Sequence, residues 1–315
     1  MIFEPIKLSP AFKDYIWGGE RLRNEFNKKC DLDRIAESWE LSAHKDGESV
    51  VCYNGKECSF TEYLSEIGSE ALGKNSEKYD YFPLLIKLID AKGDLSVQVH
   101  PSDKYALENE GEYGKTEMWY VLDCDRGAAL YYGFRESVSR EEYENAIKEN
   151  RLCDILRRVE VKKGEVFFIP AGTVHAIGAG MLICEVQQNS NTTYRVYDYG
   201  RRDKNGNTRP LHVEKALAVS NLEKSPELPE IGDFDGAVLC DCKYFSVTRR
   251  IVSGSVDVNV TQDSFVSLIA TEGNGSLIYD GGRVDFTKGD SIFIPAMSAC
   301  MTVTGECELI ETRVN

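Results

Sequence analysis

The chain of 315 residues is predicted to be mainly β, folded as two sandwich-like or barrel-like domains with a few peripheral α-helices. Short segments rich in β-branched and aromatic residues recur along it between glycine-containing turns. Almost everything after Lys243 has this pattern. One segment of nine residues also occurs twice. The length suits about two domains of ordinary size.

Three segments are predicted to be helical. Ser59 and Glu62 have the spacing of a capping box, and Ser139 is likewise followed by Glu142 three residues later. Apolar residues then recur at near-helical spacing after each serine, and a similar face follows His212. The predicted helices cover 59–73, 139–158 and 212–222.

The strand-like segments are short and combine β-branched with aromatic side chains, which favours β structure. Turn residues follow at intervals of about 8–12 residues, as is typical of sandwiches and barrels. The predicted strands are Leu84–Ile89, Leu95–His100, Met118–Leu122, Ala128–Tyr132, Val166–Ile169, Met181–Val186, Tyr244–Ile251, Val256–Val260, Ser264–Ala270, Ser276–Tyr279 and Cys307–Thr312.

The repeated segment is Lys163–Ala171, which matches Lys288–Ala296. Each copy has a Lys-Gly-acid turn, then a strand, then a proline that ends the hydrogen-bonded ladder. This arrangement resembles the second signature motif of the cupin fold, a jelly roll of antiparallel strands. Two copies imply a bicupin with two jelly-roll β-barrel domains. Five residues after the proline stands His175 in the first copy and Cys300 in the second.

The missing histidine in the second copy predicts that the two domains have different roles. A metal-binding catalytic cupin domain with helical excursions is predicted over 1–223. A degenerate, cupin-like β domain is predicted over 230–315. The proline- and glutamate-containing stretch Ser225–Pro229 is the predicted linker between them.

The composition excludes several classes of protein. The chain has 52 acidic and 37 basic residues and a net charge of −15, so neither a nucleic-acid partner nor an anionic membrane is expected. No apolar run has the length of a membrane span, and no signal peptide is recognised, so a cytoplasmic location is predicted. The 10 cysteines contain no CxxC pair and are interpreted as reduced thiols.

Only four histidines are available for a histidine-based metal site. Gln98 and His100 stand at i and i+2 of a predicted strand, so both side chains project from one face. Glu117 opens another strand, and His175 follows the repeated motif. Two imidazole nitrogens and two side-chain oxygens suit Zn²⁺ with an open position. The other two histidines, His44 and His212, lack such partners and are expected to have no catalytic role.

The chain also resembles the type I mannose-6-phosphate isomerase (phosphomannose isomerase) family in its compact bacterial form. The most specific pieces are a Gln-x-His-Pro and a Lys-x-Glu motif, in that order. The segments that carry the resemblance are Tyr15–Gly19, Glu37–Ser42, Lys87–Ala91, Leu95–Pro101, Gly114–Trp119, Pro170–Ala176 and Thr193–Asp198. Ser190-Asn191 departs from the Ser-Asp of many relatives, which leaves the details of the following loop open.

The resemblance implies a zinc-dependent aldose–ketose isomerase that interconverts mannose 6-phosphate and fructose 6-phosphate through a cis-enediol. It implies that one Zn²⁺ is held by Gln98, His100, Glu117 and His175, and that Arg195 is the catalytic arginine. It also implies that the substrate pocket is lined by Lys87, Ser96, Lys115 and Glu185.

The chemistry requires a base for the carbon-bound proton and cations for the phosphate. Glu185 and Lys115 are both candidates for the base, and a metal-bound hydroxide or His100 stays open as well. The phosphate cations are expected among Lys87, Lys115, Arg195 and the pair Arg201-Arg202.

Two other classes of function fit parts of the pattern. An iron dioxygenase would use the two histidines and one carboxylate, but it has no need of a fixed cationic pocket. A non-catalytic sugar-binding cupin would bind ligand without turnover. The sequence contains no GxxxxGK[ST] loop, so nucleotide binding is not predicted. The oligomeric state is not predicted.

Overall fold

The structure is a computed structural model that describes residues 3–202, 206–298 and 300–315. The strands are β1 (Ile6–Ser9), β2 (Ala11–Lys13), β3 (Glu37–Leu41), β4 (Ala43–His44), β5 (Gly47–Glu48), β6 (Val50–Tyr53), β7 (Lys56–Ser59), β8 (Leu84–Ala91), β9 (Val97–Val99), β10 (Glu117–Cys124), β11 (Ala129–Phe134), β12 (Leu156–Glu160), β13 (Val166–Ile169), β14 (His175–Ala176), β15 (Met181–Gln188), β16 (Tyr194–Tyr197), β17 (Ala237–Asp241), β18 (Phe245–Val258), β19 (Val266–Tyr279), β20 (Gly282–Thr287), β21 (Ser291–Ile294) and β22 (Met301–Val314). The helices are α1 (Arg21–Glu25), α2 (Phe60–Ile67), α3 (Asp103–Asn109), α4 (Arg140–Lys148), α5 (Leu152–Ile155) and α6 (Val213–Val219), with 3₁₀ turns at Ser69–Leu72 and Lys74–Ser76.

Two antiparallel sheets form the part of the molecule that carries the predicted site. The strand order is β13-β10-β15-β8-β3-β2 in a six-stranded sheet and β12-β11-β14-β9-β16 in a five-stranded sheet. They pack face to face through apolar side chains such as Ile89 and Trp119 on the first and Leu130 and Tyr132 on the second. Strand β16 comes last in the order of the five-stranded sheet, so it is an edge strand.

The third large sheet is nine-stranded, in the order β17-β18-β22-β19-β21-β1-β6-β7, with β20 beside β19. It covers the other face of the six-stranded sheet, where Met118 and Tyr120 pack in one cluster with Phe293 and Ile310. Strands β8 and β15 are consequently buried along their whole length. Burial on both faces explains why these two strands have few polar residues.

The prediction of a mainly β protein with a few helices is confirmed, but the two jelly-roll barrels are not. The described residues form open sheets, and none of them closes into a barrel. The cause is a long-range pairing: β1 lies antiparallel to β21, so β1, β6 and β7 extend the C-terminal sheet. The domain limits at 223 and 230 remain a proposal. The predicted linker Ser225–Pro229 contains neither helix nor strand.

The predicted helices are present but shorter. In α2 the capping box of Ser59 and Glu62 is formed, and the helix ends before Gly68, whose φ of 87° is left-handed. The helix predicted over 139–158 divides into α4 and α5, because Asn150 between them adopts a left-handed φ of 56°. Its last three residues, from Leu156, belong to strand β12, so that part of the prediction is wrong. Helices α1 and α3 were not predicted. No helix among the described residues is long and apolar enough to cross a membrane.

The two copies of the repeated motif have the same backbone course. The turn glycines Gly164 and Gly289 have φ angles of 88° and 94°, a region that favours glycine. Strands β13 and β21 follow them and end before Pro170 and Pro295. The prediction of turn, strand and proline stop is confirmed in both copies.

Candidate active site and metal centre

Three of the predicted site residues form one row across the five-stranded sheet. His175 on β14 lies opposite Gln98 on β9, and Gln98 lies opposite Arg195 on β16. Directly paired residues in antiparallel strands point to the same face of the sheet. Since neighbouring strands are about 4.8 Å apart, the backbone of Arg195 lies roughly 10 Å from that of His175.

A second group of polar residues faces this row from the six-stranded sheet. Glu117 and Trp119 alternate on β10 with residues of the opposite core, so their side chains point towards the five-stranded sheet. Glu185 on β15 lies opposite Trp119, and Lys87 on β8 lies opposite Glu185. The pairing of three strands thus brings Trp119, Glu185 and Lys87 into the same cleft, with Glu117 two residues before Trp119 on β10.

His100, Glu117 and His175 form a compact, fully buried cluster. Their ligand atoms all lie within 4.8 Å of one another. Oε1 of Glu117 is 3.6 Å from Nε2 of His100 and 3.2 Å from Nε2 of His175. Each imidazole has its Nδ1 2.9 Å from a backbone carbonyl, that of Thr192 or Thr173. These contacts place the proton on Nδ1 and leave both Nε2 atoms directed at the cluster.

The cluster contains polar atoms that the protein itself does not satisfy. Both oxygens of Glu117 and Nε2 of His175 are buried without a hydrogen-bond partner. The ammonium of Lys115 lies 3.0 Å from Oε2 of Glu117 and 3.1 Å from Nε2 of His100. Unpartnered buried polar atoms are costly unless they have another function. A carboxylate and an imidazole with unpartnered ligand atoms, beside a second imidazole, fit a divalent metal ion. Gln98 lines the cleft next to this cluster, as does Lys115.

The electrostatics of the cluster favour the protonation states that bind metal. Burial acts to raise the pKa of Glu117, but Lys115 and His175 outweigh it, and the pKa falls to about 2. Burial lowers the pKa of His100 and of His175. The carboxylate is therefore ionised and both imidazoles are neutral at pH 7, as metal ligation requires.

Glu185 lies between the two buried lysines. Its Oε2 is 3.2 Å from Nζ of Lys87, and its Oε1 is 4.0 Å from Nζ of Lys115. The indole N–H of Trp119 donates to Oε1 at 3.2 Å. Burial raises the pKa of Glu185 even though both lysines oppose it. A buried carboxylate of raised pKa in a cleft has the properties of a general base.

Arg195 is held from three sides. Its Nε donates to Oγ of Ser96 at 3.2 Å, and Nη1 donates to the carbonyl of Pro210 at 3.1 Å. Its backbone N–H donates to Nδ1 of His212 at 3.1 Å. Lys87, Ser96, Gln98, Lys115, Glu185 and Arg195 all line the same cleft. The structure thus brings these six residues together beside the His100, Glu117 and His175 cluster.

Comparison with known proteins agrees with this site. The family described as phosphomannose isomerase type I, catalytic domain, matches residues 6–123, and the mannose-6-phosphate isomerase cupin domain matches residues 237–314. A mannose-6-phosphate isomerase, ManA of Bacillus subtilis (strain 168), is 41% identical to this chain. The alignment covers 100% of both proteins. The chain belongs to the mannose-6-phosphate isomerase family. It is therefore a member of an isomerase family of enzymes.

Other relatives cover the whole chain as well. The mannose-6-phosphate isomerase of Streptococcus mutans is 39% identical over 99% of both proteins. The crystal structure of the mannose 6-phosphate isomerase from Bacillus subtilis superimposes with a TM-score of 0.90 at 37% identity, covering 98% of this chain and 99% of that one. A mannose 6-phosphate isomerase bound with zinc and yttrium has a TM-score of 0.80, covering 99% of this chain and all of that one. At 18% identity it shows the shared fold only.

Two cleft residues of this isomerase-family chain were not singled out from the sequence. Glu37 lies 3.7 Å from Nζ of Lys87 and accepts a hydrogen bond from Trp39 at 2.7 Å. Burial acts to lower the pKa of Lys87, but Glu185 and Glu37 outweigh it and raise the pKa, so Lys87 is charged. Glu37 belongs to a segment that resembles the isomerase family, but only the pairing of β3 with β8 shows its role.

The second unpredicted residue is Arg209, which lines the cleft together with Arg195. The sequence had indicated Arg201 and Arg202 as sources of positive charge instead. Arg201 is paired with Asp198, and its Nε lies 3.1 Å from Oδ1 of that residue. Arg202 is exposed, and its Nη1 donates to the carbonyl of Gly206 at 2.7 Å. Neither lines the cleft of the isomerase-family site.

Proposed function

We propose that the protein is a zinc-dependent aldose–ketose isomerase that interconverts mannose 6-phosphate and fructose 6-phosphate through a cis-enediol. The observation that carries the proposal is the set of unpartnered ligand atoms on Glu117 and His175. They belong to a buried cluster that contacts Lys115, and Lys115 lines one cleft together with the buried carboxylate of Glu185. Membership of the isomerase family supports the reaction class.

Gln98, His100, Glu117 and His175 are the proposed zinc ligands. Two imidazoles with oxygen donors are a donor set that suits zinc better than the oxygen-rich sites of magnesium or calcium. When bound, the zinc ion supplies a positive charge that offsets negative charge developing on the sugar oxygens. The backbone carbonyls of Thr192 and Thr173 orient the two imidazoles for this purpose.

Glu185 is the proposed base that moves the proton between C2 and C1. Its raised pKa brings it nearer to neutrality, where a carboxylate can both accept and return a proton. Lys115 contacts Glu117 and His100, which directs its N–H groups to the proposed metal ligands. His100 has Nδ1 engaged by Thr192 and Nε2 in the cluster. This leaves Glu185 as the carboxylate best placed to take the carbon-bound proton.

Arg195 is proposed to stabilise the enediol oxygens. Contacts with Ser96 and Pro210 fix the plane of its guanidinium. No carboxylate among the described residues lies within 4.0 Å of it, so its charge is available to a ligand. A fixed guanidinium stays protonated throughout the reaction and presents several donors to adjacent oxygens.

The proposal is tested by incubating the protein with mannose 6-phosphate in D₂O and following the products by proton NMR. We expect fructose 6-phosphate to form and solvent deuterium to enter at C1, because a side-chain base exchanges its proton with water. Glu185→Gln should retain the metal and lose turnover. Absence of fructose 6-phosphate would contradict the function, and full turnover by Glu185→Gln would contradict the assignment of the base.

A further inference from the structure

Four cationic side chains line the cleft: Lys87, Lys115, Arg195 and Arg209. Both lysines are buried, and each lies close to carboxylates inside the cleft. Nζ of Lys87 is 3.2 Å from Glu185, and Nζ of Lys115 is 3.0 Å from Glu117. Arg195 is proposed to serve the enediol oxygens, so Arg209 is the one cationic side chain among the described lining residues that is neither close to a carboxylate of the reacting end nor assigned to the reaction itself.

Arg209 is held in a bidentate pair by a single carboxylate. It follows the edge strand β16, in the loop that leads to α6. Its Nε lies 2.8 Å from Oδ2 of Asp198, and its Nη2 lies 2.5 Å from Oδ1. This side-on pair fixes the plane of the guanidinium. The described residues offer no acceptor to its other terminal nitrogen, Nη1.

Positive charge exceeds negative charge at this end. Arg201 and Arg209 share the one carboxylate of Asp198, and Arg195 has no carboxylate partner among the described residues. Among the described residues, these three guanidinium groups and one carboxylate leave two positive charges, one for the enediol oxygens at Arg195 and one for a further anion. Burial acts to raise the pKa of Asp198, but Arg209 and Arg201 outweigh it and lower the pKa, so the carboxylate is charged.

We propose that Arg209 binds the phosphate group of the substrate, and that Asp198 is the positioning residue that holds its guanidinium. The inference rests on the proposed function, since it assigns the phosphate end of a hexose 6-phosphate. The reacting carbons and the phosphate lie at opposite ends of such a molecule. The proposed metal ligands lie on strands β9, β10 and β14 or directly after β9. Arg209 lies in the loop after edge strand β16, and β16 is two strands from the strand of His175.

The decisive variant is Arg209→Gln, which removes the charge and retains a hydrogen-bonding side chain. We expect KM for mannose 6-phosphate to rise about 10- to 100-fold, the effect of losing one or two charge-assisted hydrogen bonds. The inhibition constant of inorganic phosphate should rise by a similar factor, while kcat changes less than about threefold. Arg209→Lys should be intermediate, because an ammonium restores the charge without the fork.

Two further variants separate binding from structure. Arg202→Gln removes the same charge from an exposed residue outside the cleft and should leave KM unchanged. Asp198→Asn should raise KM less than Arg209→Gln does, since Arg209 remains but is less firmly oriented. The folded state of each variant is checked by circular dichroism and thermal unfolding.

Calorimetric titration with inorganic phosphate keeps the inference separate from the proposed reaction. If the unmodified protein failed to isomerise mannose 6-phosphate, the proposed function would be wrong, and weaker phosphate binding by Arg209→Gln would still support the phosphate site. If Arg209→Gln matched Arg202→Gln in KM and in phosphate affinity, the assignment of Arg209 would be wrong. A fall in kcat with unchanged KM and phosphate affinity would also overturn it.

Discussion

The same nine-residue motif occurs twice in this molecule, with the same backbone course and different surroundings. In the first copy, Ile169 at the end of β13 lies opposite Glu117. In the second copy, the equivalent Ile294 at the end of β21 lies opposite Val266. The position that carries an ionised carboxylate, a proposed metal ligand, in one copy therefore carries a small apolar side chain in the other.

The position after the proline differs in the same way. His175 is fully buried and has a free ligand atom. Cys300, at the equivalent place, is exposed, and its Sγ lies 3.3 Å from Oδ1 of Asn259. Val266 and Ile294 pack in a cluster of apolar side chains. The second copy thus lacks both the carboxylate and the imidazole of the first.

The repeated motif therefore determines the path of the backbone and does not by itself determine the chemistry. Turn glycine, strand and proline recur in both copies, so they define the path of the chain. Two of the proposed metal ligands come from outside the motif, Glu117 from the neighbouring strand and His175 from beyond the proline. The second copy contributes packing instead: Phe293 is buried and meets Phe60 and Phe265 at ring-centroid distances of 5.1 and 5.2 Å.

The largest expected difference between the copies is in activity. His175→Ala should lose the metal and reduce kcat/KM about a thousandfold or more, because several kcal/mol of transition-state stabilisation disappear with the ion. Cys300→Ala at the matched position should retain both. Metal content and the rate of fructose 6-phosphate formation are measured for each variant. A metal-free His175→Ala that remains fully active would show that the first copy is not the catalytic centre.

The next expected difference between the copies is in stability, and here the second copy is the more sensitive one. Phe293→Ala should lower the free energy of unfolding by about 3–5 kcal/mol, since it opens a cavity in a fully buried aromatic cluster. Phe168→Ala, at the matched position of the first copy, should cost less than half as much, because Phe168 is only partly buried. Urea unfolding of both variants checks this. Equal losses would mean that the second copy has no special structural role.

The smallest expected difference is in acid sensitivity. The pKa of Asp198 is lowered by Arg209 and Arg201 against the effect of burial, so its contribution to stability exists above the unfolded pKa of about 4. That contribution disappears as the pH falls through the lowered pKa. At pH 7, Asp198→Asn should be less stable by about 1 kcal/mol after allowance for solvent screening.

The urea midpoints of the two proteins should converge as the pH falls below about 4. A stability difference that stays constant from pH 7 to pH 3 would show that the ionised carboxylate is not its source. The apolar surroundings of Val266 and Ile294 predict no comparable pH dependence for variants there.

Features with a local origin could be predicted from the sequence. The capping box of Ser59 and Glu62 starts α2 because both partners lie within one helical turn. Gln98 and His100 are two residues apart, so the strand period alone places them on one face of the sheet. Glu117 and His175 were found because each stands beside a recognisable strand or motif. The family resemblance then indicated Arg195, Lys87 and Lys115.

Features with a long-range origin could not be predicted. The pairing of β1 with β21 joins chain segments almost 300 residues apart, and no local pattern encodes it. Arg209 lies in a loop without periodicity, and only the folded chain shows that it reaches the cleft beside Arg195. Glu37 approaches Lys87 through the register of β3 with β8. Each case depends on non-local strand pairing or on the position of a loop, and the spacing of residues along the sequence does not reveal either.

The role of the buried cluster is tested by measuring zinc content and turnover on the same sample. The purified protein is assayed for conversion of mannose 6-phosphate to fructose 6-phosphate before chelation, after chelation, and after zinc is added back, with metal content determined at each stage. We expect one zinc ion per chain, and we expect activity to be lost and recovered in proportion to the zinc content. Full turnover by protein without metal would contradict the central claim that the buried His100, Glu117 and His175 cluster is the catalytic metal site.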